Sequence, residues 1–394
     1  MSKLARTIAF LNLGHAFDHW FMLIFPTVAI AVGPEFGMTY GELLTLTLGG
    51  WIAFGALSIP AGWLGDRWSR HSMMTIFFVG IGLASCLAAV ARGPAAMVVA
   101  LTLIGVFAAI YHPVGIAMLV RSHPLTGRAL GVNGFFGNLG VAFAALATAA
   151  LADLAGWRLA FLLPGLLSIA AGIAFALIVP RDVEAYAAPQ KPTPRVARDV
   201  LIRVFAVVLI ATACGGVIFN ATTVSLPKIF DERLQMIAGG TLGIGALAAL
   251  VFVMAAVAQL IVGPLIDRYP LKFIFLPIAG LQAPLMLMAA QADGVAMFVV
   301  AAAMMFLVFG QIPINDAMIA RYTADRWRAR AYAVRYVVSF AASAIAVPMI
   351  ALFHDHGGGF RQVFLVLAIL AAVLFLGALA FPRPGAAPAA QPAE

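Results

Sequence analysis

Charged residues are scarce in this sequence. Only 10% of the 394 residues are Asp, Glu, Lys or Arg, whereas 63% are hydrophobic. Soluble domains have about a quarter charged residues and about half apolar ones. The composition therefore excludes an ordinary soluble domain, and it indicates a membrane protein that crosses the bilayer several times.

Cysteine and lysine are also rare. The two cysteines, Cys86 and Cys214, lie inside apolar stretches, so neither a disulfide framework nor a zinc motif is indicated. None of the four lysines follows a glycine, so the sequence lacks the Gly-x-x-x-x-Gly-Lys loop that binds nucleotide phosphates. These absences argue against ATP as an energy source, and we expect no cofactor and no resident metal.

Twelve apolar stretches run through the chain, separated by charged or Gly/Pro-rich connectors. A helix needs about 20 residues to cross a bilayer, and each stretch is about that long. Their approximate limits are 7–32, 41–63, 72–91, 95–119, 126–151, 157–179, 201–226, 238–264, 271–290, 294–318, 329–353 and 361–381. We therefore predict an all-α membrane protein with about twelve transmembrane helices.

One long polar segment, Pro180–Asp199, leaves six apolar stretches on each side. It predicts a six-helix bundle at 1–179, a cytoplasmic central loop at 180–200 and a second six-helix bundle at 201–381. The remainder, 382–394, is a low-complexity sequence that we expect to be a disordered cytoplasmic tail.

The net charge of +8 carries topological information, because Lys and Arg accumulate in cytoplasmic loops of membrane proteins. If the amino terminus is cytoplasmic, the only basic residues in the outer segments are Arg92, Arg158, Lys228, Arg233 and Arg361. We therefore predict a protein of the cytoplasmic (inner) membrane with both termini in the cytoplasm, and we infer no nucleic-acid partner.

The two halves of the chain repeat each other at an offset of about 200 residues. The matched elements are Pro113–Arg121 with Pro313–Arg321, His19 with Asn220, and Gly62, Asp66 and Arg67 with Gly263, Asp267 and Arg268. Two pseudo-symmetric bundles around a central site are the architecture of a secondary transporter.

The first apolar stretch contains three ionisable residues, His15, Asp18 and His19. Their i, i+3 and i+4 spacing places them on one face of a helix. A carboxylate at the bilayer centre costs at least about 2.5 kcal/mol, so this face is expected to line a protein interior or a water-filled cavity. We predict that Asp18 and His19 carry a coupling proton and that His15 extends the relay. The alternative is that these residues only bridge helices through hydrogen bonds.

The segment Gly62–His71 reads GWLGDRWSRH. It resembles the signature loop between the second and third helices of the major facilitator superfamily. The resemblance implies a twelve-helix fold and a loop that latches the two bundles in one conformation. This gating role is assigned to Gly62, Asp66, Arg67 and Arg70 and, by the repeat, to Gly263, Asp267 and Arg268. Two positions depart from the family pattern, since Ser69 stands where Gly is usual and His71 where a basic residue is usual. An ordinary basic topology loop is the alternative.

The segment Tyr111–Pro113 (YHP), taken together with His15 and Asp18, resembles the fosmidomycin-resistance type of efflux protein within that superfamily. That type has an aromatic-His-Pro-Glu sequence in its fourth helix, and here Val114 replaces the Glu. The proline frees a backbone carbonyl one turn back and is expected to kink the helix. His112 is therefore either a further proton-coupling residue or a donor to that carbonyl.

Arg335 lies in the otherwise apolar sequence AYAVRYVV and matches Asn133 across the repeat. A guanidinium stays charged at any working pH, and its planar fork suits carboxylate or phosphate groups. We predict that Arg335 holds an anionic group of the substrate, with Tyr336 and Asn133 nearby; snorkelling to the inner interface is the alternative. Further candidates for the substrate site are Asn220, Asn315 and Asp316. Asp316 could instead neutralise Arg335.

These observations favour a secondary transporter and argue against an enzyme. The leading hypothesis is proton-coupled efflux, by antiport, of a small anionic or amphiphilic organic compound such as a drug or metabolite, carried out by a monomer embedded in membrane lipid. The alternatives are proton-coupled uptake of an organic anion and transport of a transition metal or metal chelate through the His/Asp residues, since imidazole and carboxylate suit such ions. A polytopic membrane sensor or enzyme is the remote alternative.

Overall fold

The computed structural model describes residues 3–122, 126–181, 197–323 and 325–382, and in these ranges the chain is a succession of helices joined by short connections. The longer α-helices are α1 (Lys3–Phe36), α3 (Leu48–Arg67), α4 (Arg70–Ala89), α5 (Pro94–Ala108), α7 (Thr126–Ala155), α8 (Trp157–Ile178), α9 (Arg198–Arg233), α11 (Thr241–Arg268), α12 (Leu271–Ala289), α13 (Gly294–Tyr322), α14 (Asp325–His356) and α15 (Phe360–Leu379). The shorter ones are α2 (Tyr40–Thr45), α6 (Ile116–Ser122) and α10 (Gln235–Ala238). Most of the predicted central loop (182–196) and of the predicted tail (383–394) lies outside the described residues.

Within the described ranges, twelve helical segments are long and apolar enough to cross a membrane. The second of them, Tyr40–Arg67, combines α2 and α3, and the fourth, Pro94–Leu119, continues from α5 into α6. No β-strand occurs in the described ranges. The prediction of an all-α, multi-pass integral membrane protein with about twelve transmembrane helices is therefore confirmed.

The chain divides by its internal contacts into two compact units. The first unit comprises Met1–Ala188 together with Val224–Val253, and the second comprises Pro189–Thr223 together with Met254–Glu394. The end of α9 and the start of α11 are thus grouped with the first unit. The bundle boundaries given by the sequence analysis stay a prediction.

Glycines let the helices of the first unit approach backbone to backbone. Helix α1 packs against α7, and a Cβ atom at Gly140 of α7 would lie 2.7 Å from the Cα of Ala16. Helix α3 packs against α5, where a Cβ at Gly105 would lie 2.6 Å from the Cα of Gly50. Small residues at such contacts are the usual basis of helix packing in membranes. They bring the polar residues of α1 into direct contact with α7.

The second unit has an apolar core in which α12 packs against α13 and α15. Phe275, Ile314 and Leu374, one from each of these helices, are completely buried there. The Lys272 ammonium group donates to two backbone carbonyls, that of Leu379 at the end of α15 and that of Phe381 just after it. The last helix is thereby fixed to the start of α12.

The two residues that depart from the family's loop pattern both have local structural partners. The Ser69 hydroxyl accepts a hydrogen bond from the backbone N–H of Ser72 at 3.1 Å and caps the start of α4. The His71 ring donates through Nε2 to the carbonyl of Val179 at 3.0 Å and stacks on Phe175. Ser69 therefore supports α4, and His71 ties α4 to the end of α8.

Candidate functional site

Three ionisable residues of α1 are enclosed within the first unit. Asp18 is completely buried and His15 is 7% exposed, while His19 is partly buried. The centroids of the His15 and His19 rings lie 5.0 Å apart. The structure thus places the predicted residues on an inward face of α1; their role in proton coupling stays a prediction at this point.

The fourth span is interrupted by one turn of π-helix, Tyr111–Gly115, between α5 and α6. Pro113 lies in this turn, and because proline has no N–H to donate it disrupts the regular α-helical ladder. The turn brings His112 to Asp18, with Nε2 3.3 Å from Oδ2. Single π-turns inside helices are frequent at functional sites. A carboxylate of the first span and an imidazole of the fourth span therefore meet as a pair.

The imidazole of His112 is the group placed to balance a negative charge on Asp18. The Asp18 side chain is 1% exposed, and neither of its carboxylate oxygens accepts a well-aligned hydrogen bond from any residue that the structure describes. Leaving a buried carboxylate without a partner costs about 3 kcal/mol or more. The imidazole at ion-pair distance is thus the group that compensates the charge whenever Asp18 is ionised.

The three imidazoles and Asp18 form one group, which we call the His/Asp cluster (His15, Asp18, His19 and His112). The His112 ring centroid lies 5.3 Å from that of His15 and 5.8 Å from that of His19. One ring nitrogen from each histidine lies within 4.8 Å of the others. Such a group can pass protons between its members, and its donor set is also one that transition metals accept.

A buried hydrogen-bond network holds His15 in place. Nδ1 of His15 donates to the backbone carbonyl of Asn133 at 2.7 Å. Because a carbonyl can only accept, the proton of the neutral ring lies on Nδ1, and Nε2 is the nitrogen left to exchange protons. The Tyr111 ring stacks on His15 with centroids 4.9 Å apart. These contacts fix the orientation of the ring in the cluster.

The same network contains Asn12 and Tyr111, two residues that were not predicted from the sequence to belong to the site. The Asn133 amide donates to Asn12 Oδ1 at 3.0 Å, and the Tyr111 hydroxyl donates to the carbonyl of Leu11 at 2.8 Å. Asn12 could have been identified from the sequence, because an amide inside an apolar stretch needs a buried partner. Asn133 was predicted to bind substrate. Its side chain already has hydrogen-bond partners in this network, and the substrate role stays a prediction.

Helix α3, which carries the first part of the signature loop, packs on the π-turn through two glycines. A Cβ atom at Gly62 would lie 3.0 Å from Cβ of Pro113, and one at Gly65 would lie 2.9 Å from Cγ2 of Val114. Val114 occupies the position of the Glu in the fosmidomycin-resistance type, and here it is buried against Gly65. The contact links the loop to the turn that carries His112.

We expect Gly65→Ala to impair transport by displacing His112. The added methyl group would overlap Val114 and push the π-turn away from α3, at a cost of about 1–3 kcal/mol for overpacking. Transport by the purified variant in liposomes should fall several-fold, and its pH dependence should shift. Val114→Ala in the same chain removes the clash and should restore both. A double variant no better than Gly65→Ala would show that this contact does not position His112.

The charged residues assigned to gating lie at the ends of helices. Arg70 forms an ion pair with Asp66, and the Arg67 guanidinium lies 5.5 Å from the centre of the Trp63 ring. In the second unit Asp267 and Arg268 are exposed at the end of α11, and a Cβ at Gly263 would meet no atom within 4 Å. The latch function of these residues stays a prediction.

The predicted substrate residues of the second unit fall into two groups. Asn220 and Asn315 are buried, and the side-chain oxygen of each accepts no hydrogen bond from the described residues. Arg335 forms an ion pair with Asp316, whose side chain is 43% exposed. The side chain of Tyr336 lies outside the described part of the chain. Asp316 is thus the neutralising partner of Arg335, so Arg335 can hold an anionic solute only if the solute competes with this carboxylate.

The described ranges contain twelve helical segments suited to cross a membrane, a buried acid–imidazole cluster, and glycines of α3 that pack on the turn carrying His112. These features are those of a polytopic membrane transporter. The family model of the Major Facilitator Superfamily matches residues 8–254 and 234–394 of the chain. The chain therefore belongs to the Major Facilitator Superfamily. Members of this family are transporters of small molecules, so the prediction that the chain is not an enzyme is confirmed.

Two curated proteins are similar to parts of the chain. A probable actinorhodin transporter of Streptomyces coelicolor is 30% identical over 158 residues, which are 39% of this chain and 27% of that protein. The puromycin resistance protein pur8 of Streptomyces alboniger is 34% identical over 110 residues, 27% of this chain and 22% of that protein. Each alignment thus covers about a quarter of the relative's length.

Solved structures share the fold over nearly the whole chain. A bacterial homologue of the human lysosomal transporter Spinster has a TM-score of 0.80 at 14% identity, covering 97% of this chain and 98% of that one. A D-xylose–proton symporter has a TM-score of 0.72 at 15% identity, covering 96% and 97%. At these identities the similarity establishes the fold alone.

Proposed function

We propose that the protein is a proton-coupled secondary transporter that exports a small organic compound. The observation that carries the proposal is the buried Asp18–His112 pair, whose Oδ2 and Nε2 atoms lie 3.3 Å apart inside the first unit. The pair can consist of an ionised carboxylate beside a charged imidazole. It can also hold a different number of protons, after the uptake or release of one. A change in the access of this pair from one side of the membrane to the other would then move a proton.

The surroundings of the pair suit this role. The titratable groups that face it are His15 and His19 of α1 and Tyr111 of the π-turn, and described residues of opposite fixed charge, such as Lys or Arg, are not among its contacts. Because no fixed cation among the described residues contacts Asp18, the neighbouring imidazoles are the groups that can balance its charge. Intramembrane acids and histidines in contact are the usual parts of a proton relay.

Separate observations support the proposed energy source and the proposed direction of transport. The sequence lacks a phosphate-binding loop, so an ion gradient is the remaining driving force, and the His/Asp cluster favours protons. The names of the two curated relatives refer to transport of actinorhodin and to resistance to puromycin, which supports efflux of a drug or metabolite. We further propose the cytoplasmic membrane as the location, cytoplasmic termini, a monomer as the working unit, and the fosmidomycin-resistance type as the subfamily.

The test uses the purified protein in liposomes with a pH gradient across the membrane, and tritiated puromycin as the probe because a relative's name refers to it. We expect accumulation of puromycin on the acidic side, abolished by a protonophore and unchanged when Na⁺ is replaced by K⁺. Flux that ignores the pH gradient and the protonophore would overturn proton coupling.

The same preparation distinguishes the metal alternative. The three histidines of the cluster each have a ring nitrogen close enough to the others to hold a transition metal. Thermal stabilisation by Zn²⁺ that is lost in His112→Ala, together with Zn²⁺ flux, would replace the proposal by metal transport. We expect neither effect.

A further inference from the structure

Three amide side chains meet inside the second unit. Gln282 of α12 is completely buried, and Gln311 and Asn315 of α13 are 3% and 7% exposed. Gln282 Nε2 donates to Gln311 Oε1 at 2.7 Å. Primary amides inside membrane-spanning helices are costly and mark functional positions. Of the three, only Asn315 is predicted from the sequence to belong to the substrate site.

The orientation of the amides follows from a backbone group. Gln311 Nε2 donates to the carbonyl of Ala211 on α9 at 3.4 Å, so its oxygen must face Gln282. Gln282 therefore presents its NH₂ group to Gln311, and its own oxygen points elsewhere. That oxygen is buried and accepts no hydrogen bond within the described residues, and the same is true of the Asn315 side-chain oxygen. Each unsatisfied buried acceptor costs about 1–3 kcal/mol.

A small cavity adjoins these amides. It has a volume of about 30 Å³ and is bordered by Gln282, Gln311, Asn315, Gly215, Phe219, Val308 and Ile312. That volume admits one or two groups the size of a water molecule. Gly215 keeps it open, because a Cβ atom there would lie 2.9 Å from Gln311 Nε2. We call this space the amide pocket.

The chemistry of the amide pocket limits what it can take. None of its lining residues is charged, so a charged group would be buried in it without a counter-ion at high cost. Two of its lining residues, Gln282 and Asn315, each have a buried side-chain oxygen that accepts no hydrogen bond from the described residues. The apolar side chains of Phe219, Val308 and Ile312, which also line the pocket, offer no hydrogen bond. An uncharged O–H group satisfies an oxygen and fits the volume.

We propose that the amide pocket is a specificity subsite that receives a hydroxyl group of the transported compound. This inference rests on the proposed transport function and adds to it the class of solute, a hydroxylated organic compound. Gln282 accepts the hydrogen bond of this hydroxyl group through its side-chain oxygen, and Gln311 holds the Gln282 amide in place. The remainder of the solute lies outside the amide pocket, since the cavity is too small for a ring.

The experiment measures equilibrium binding of tritiated puromycin to the purified protein in detergent at one pH, with the 5′-O-methyl ether of puromycin as competitor. Wild-type protein should bind puromycin about tenfold or more tightly than the ether, the worth of one hydrogen bond to a buried acceptor. Gln282→Leu should bind both compounds equally. Gly215→Ala fills the amide pocket without removing an amide and should also abolish the preference. Gln259→Leu, the same substitution on α11 away from the pocket, should retain it.

Equal binding of the two compounds by wild-type protein would overturn the inference. A preference that survives in both Gln282→Leu and Gly215→Ala would also overturn it and would identify the amide pocket as a solvent site. Because binding in detergent needs no pH gradient, the result is independent of proton coupling. Preferential binding without proton-driven flux would refute only the proposed function, and proton-driven flux without the preference would refute only this inference.

Discussion

Asp18→Asn should abolish puromycin transport driven by a pH gradient, down to the level of protein-free liposomes, while the protein stays folded. The amide has nearly the shape of the carboxyl group but can neither lose nor gain a proton at working pH. Because the Asp18 side chain is buried beside His112, the substitution also removes a costly buried charge. The midpoint of thermal unfolding should therefore not fall.

Two comparisons separate loss of coupling from general damage. Exchange of internal for external puromycin requires no net proton movement, and we expect Asp18→Asn to retain it. Asp153→Asn makes the same chemical change at an exposed position near the end of α7 and should leave gradient-driven transport intact. Gradient-driven transport by Asp18→Asn at the wild-type rate would exclude Asp18 as the coupling residue.

Gly140→Ala should destabilise the first unit and reduce transport at the same time. The added methyl carbon would lie 2.7 Å from Cα of Ala16 and 2.8 Å from its carbonyl carbon, so α1 and α7 must move apart. Backbone atoms cannot relieve the overlap by rotating away, as a side chain can. Overpacking of this kind costs about 1–3 kcal/mol. The midpoint of thermal unfolding in detergent should fall by about 2–10 °C.

Gly131→Ala is the matched control for this prediction. Gly131 lies on the same helix, α7, but a Cβ atom there would meet no other atom within 4 Å. Alanine is favoured over glycine in a helix by about 0.8–1 kcal/mol, so Gly131→Ala should leave the unfolding temperature unchanged or raise it slightly. Equal effects of the two substitutions would mean that the α1–α7 contact is not the cause.

Much of the site could be predicted from the sequence because its signals are local. The spacing of His15, Asp18 and His19 predicted a shared helical face, and the proline after His112 predicted a break in the fourth span. The pairing of His112 with Asp18 could not be predicted in this way. It depends on the wider π-turn and on the glycines of α3 that pack against that turn, and neither is encoded by the residues next to Asp18.

The second unit shows the same division between local and long-range signals. Asn315 stood out in an apolar stretch, but its association with Gln282 and Gln311 depends on how α9, α12 and α13 pack. Arg335 stood out as a charge in an apolar stretch and suggested an anion site. In the tertiary structure Asp316 forms an ion pair with Arg335, so the guanidinium already has a carboxylate partner.

By itself, the sequence determined the class of this protein, its twelve spans and the residues that a membrane would tolerate only in a protein interior. These properties follow from hydropathy and from the cost of burying charge, which act on each stretch of chain separately. Only the tertiary structure decided which buried polar groups meet. Contacts between these groups depend on side-chain packing between helices far apart in sequence. There a single glycine or one π-turn determines whether two groups come together.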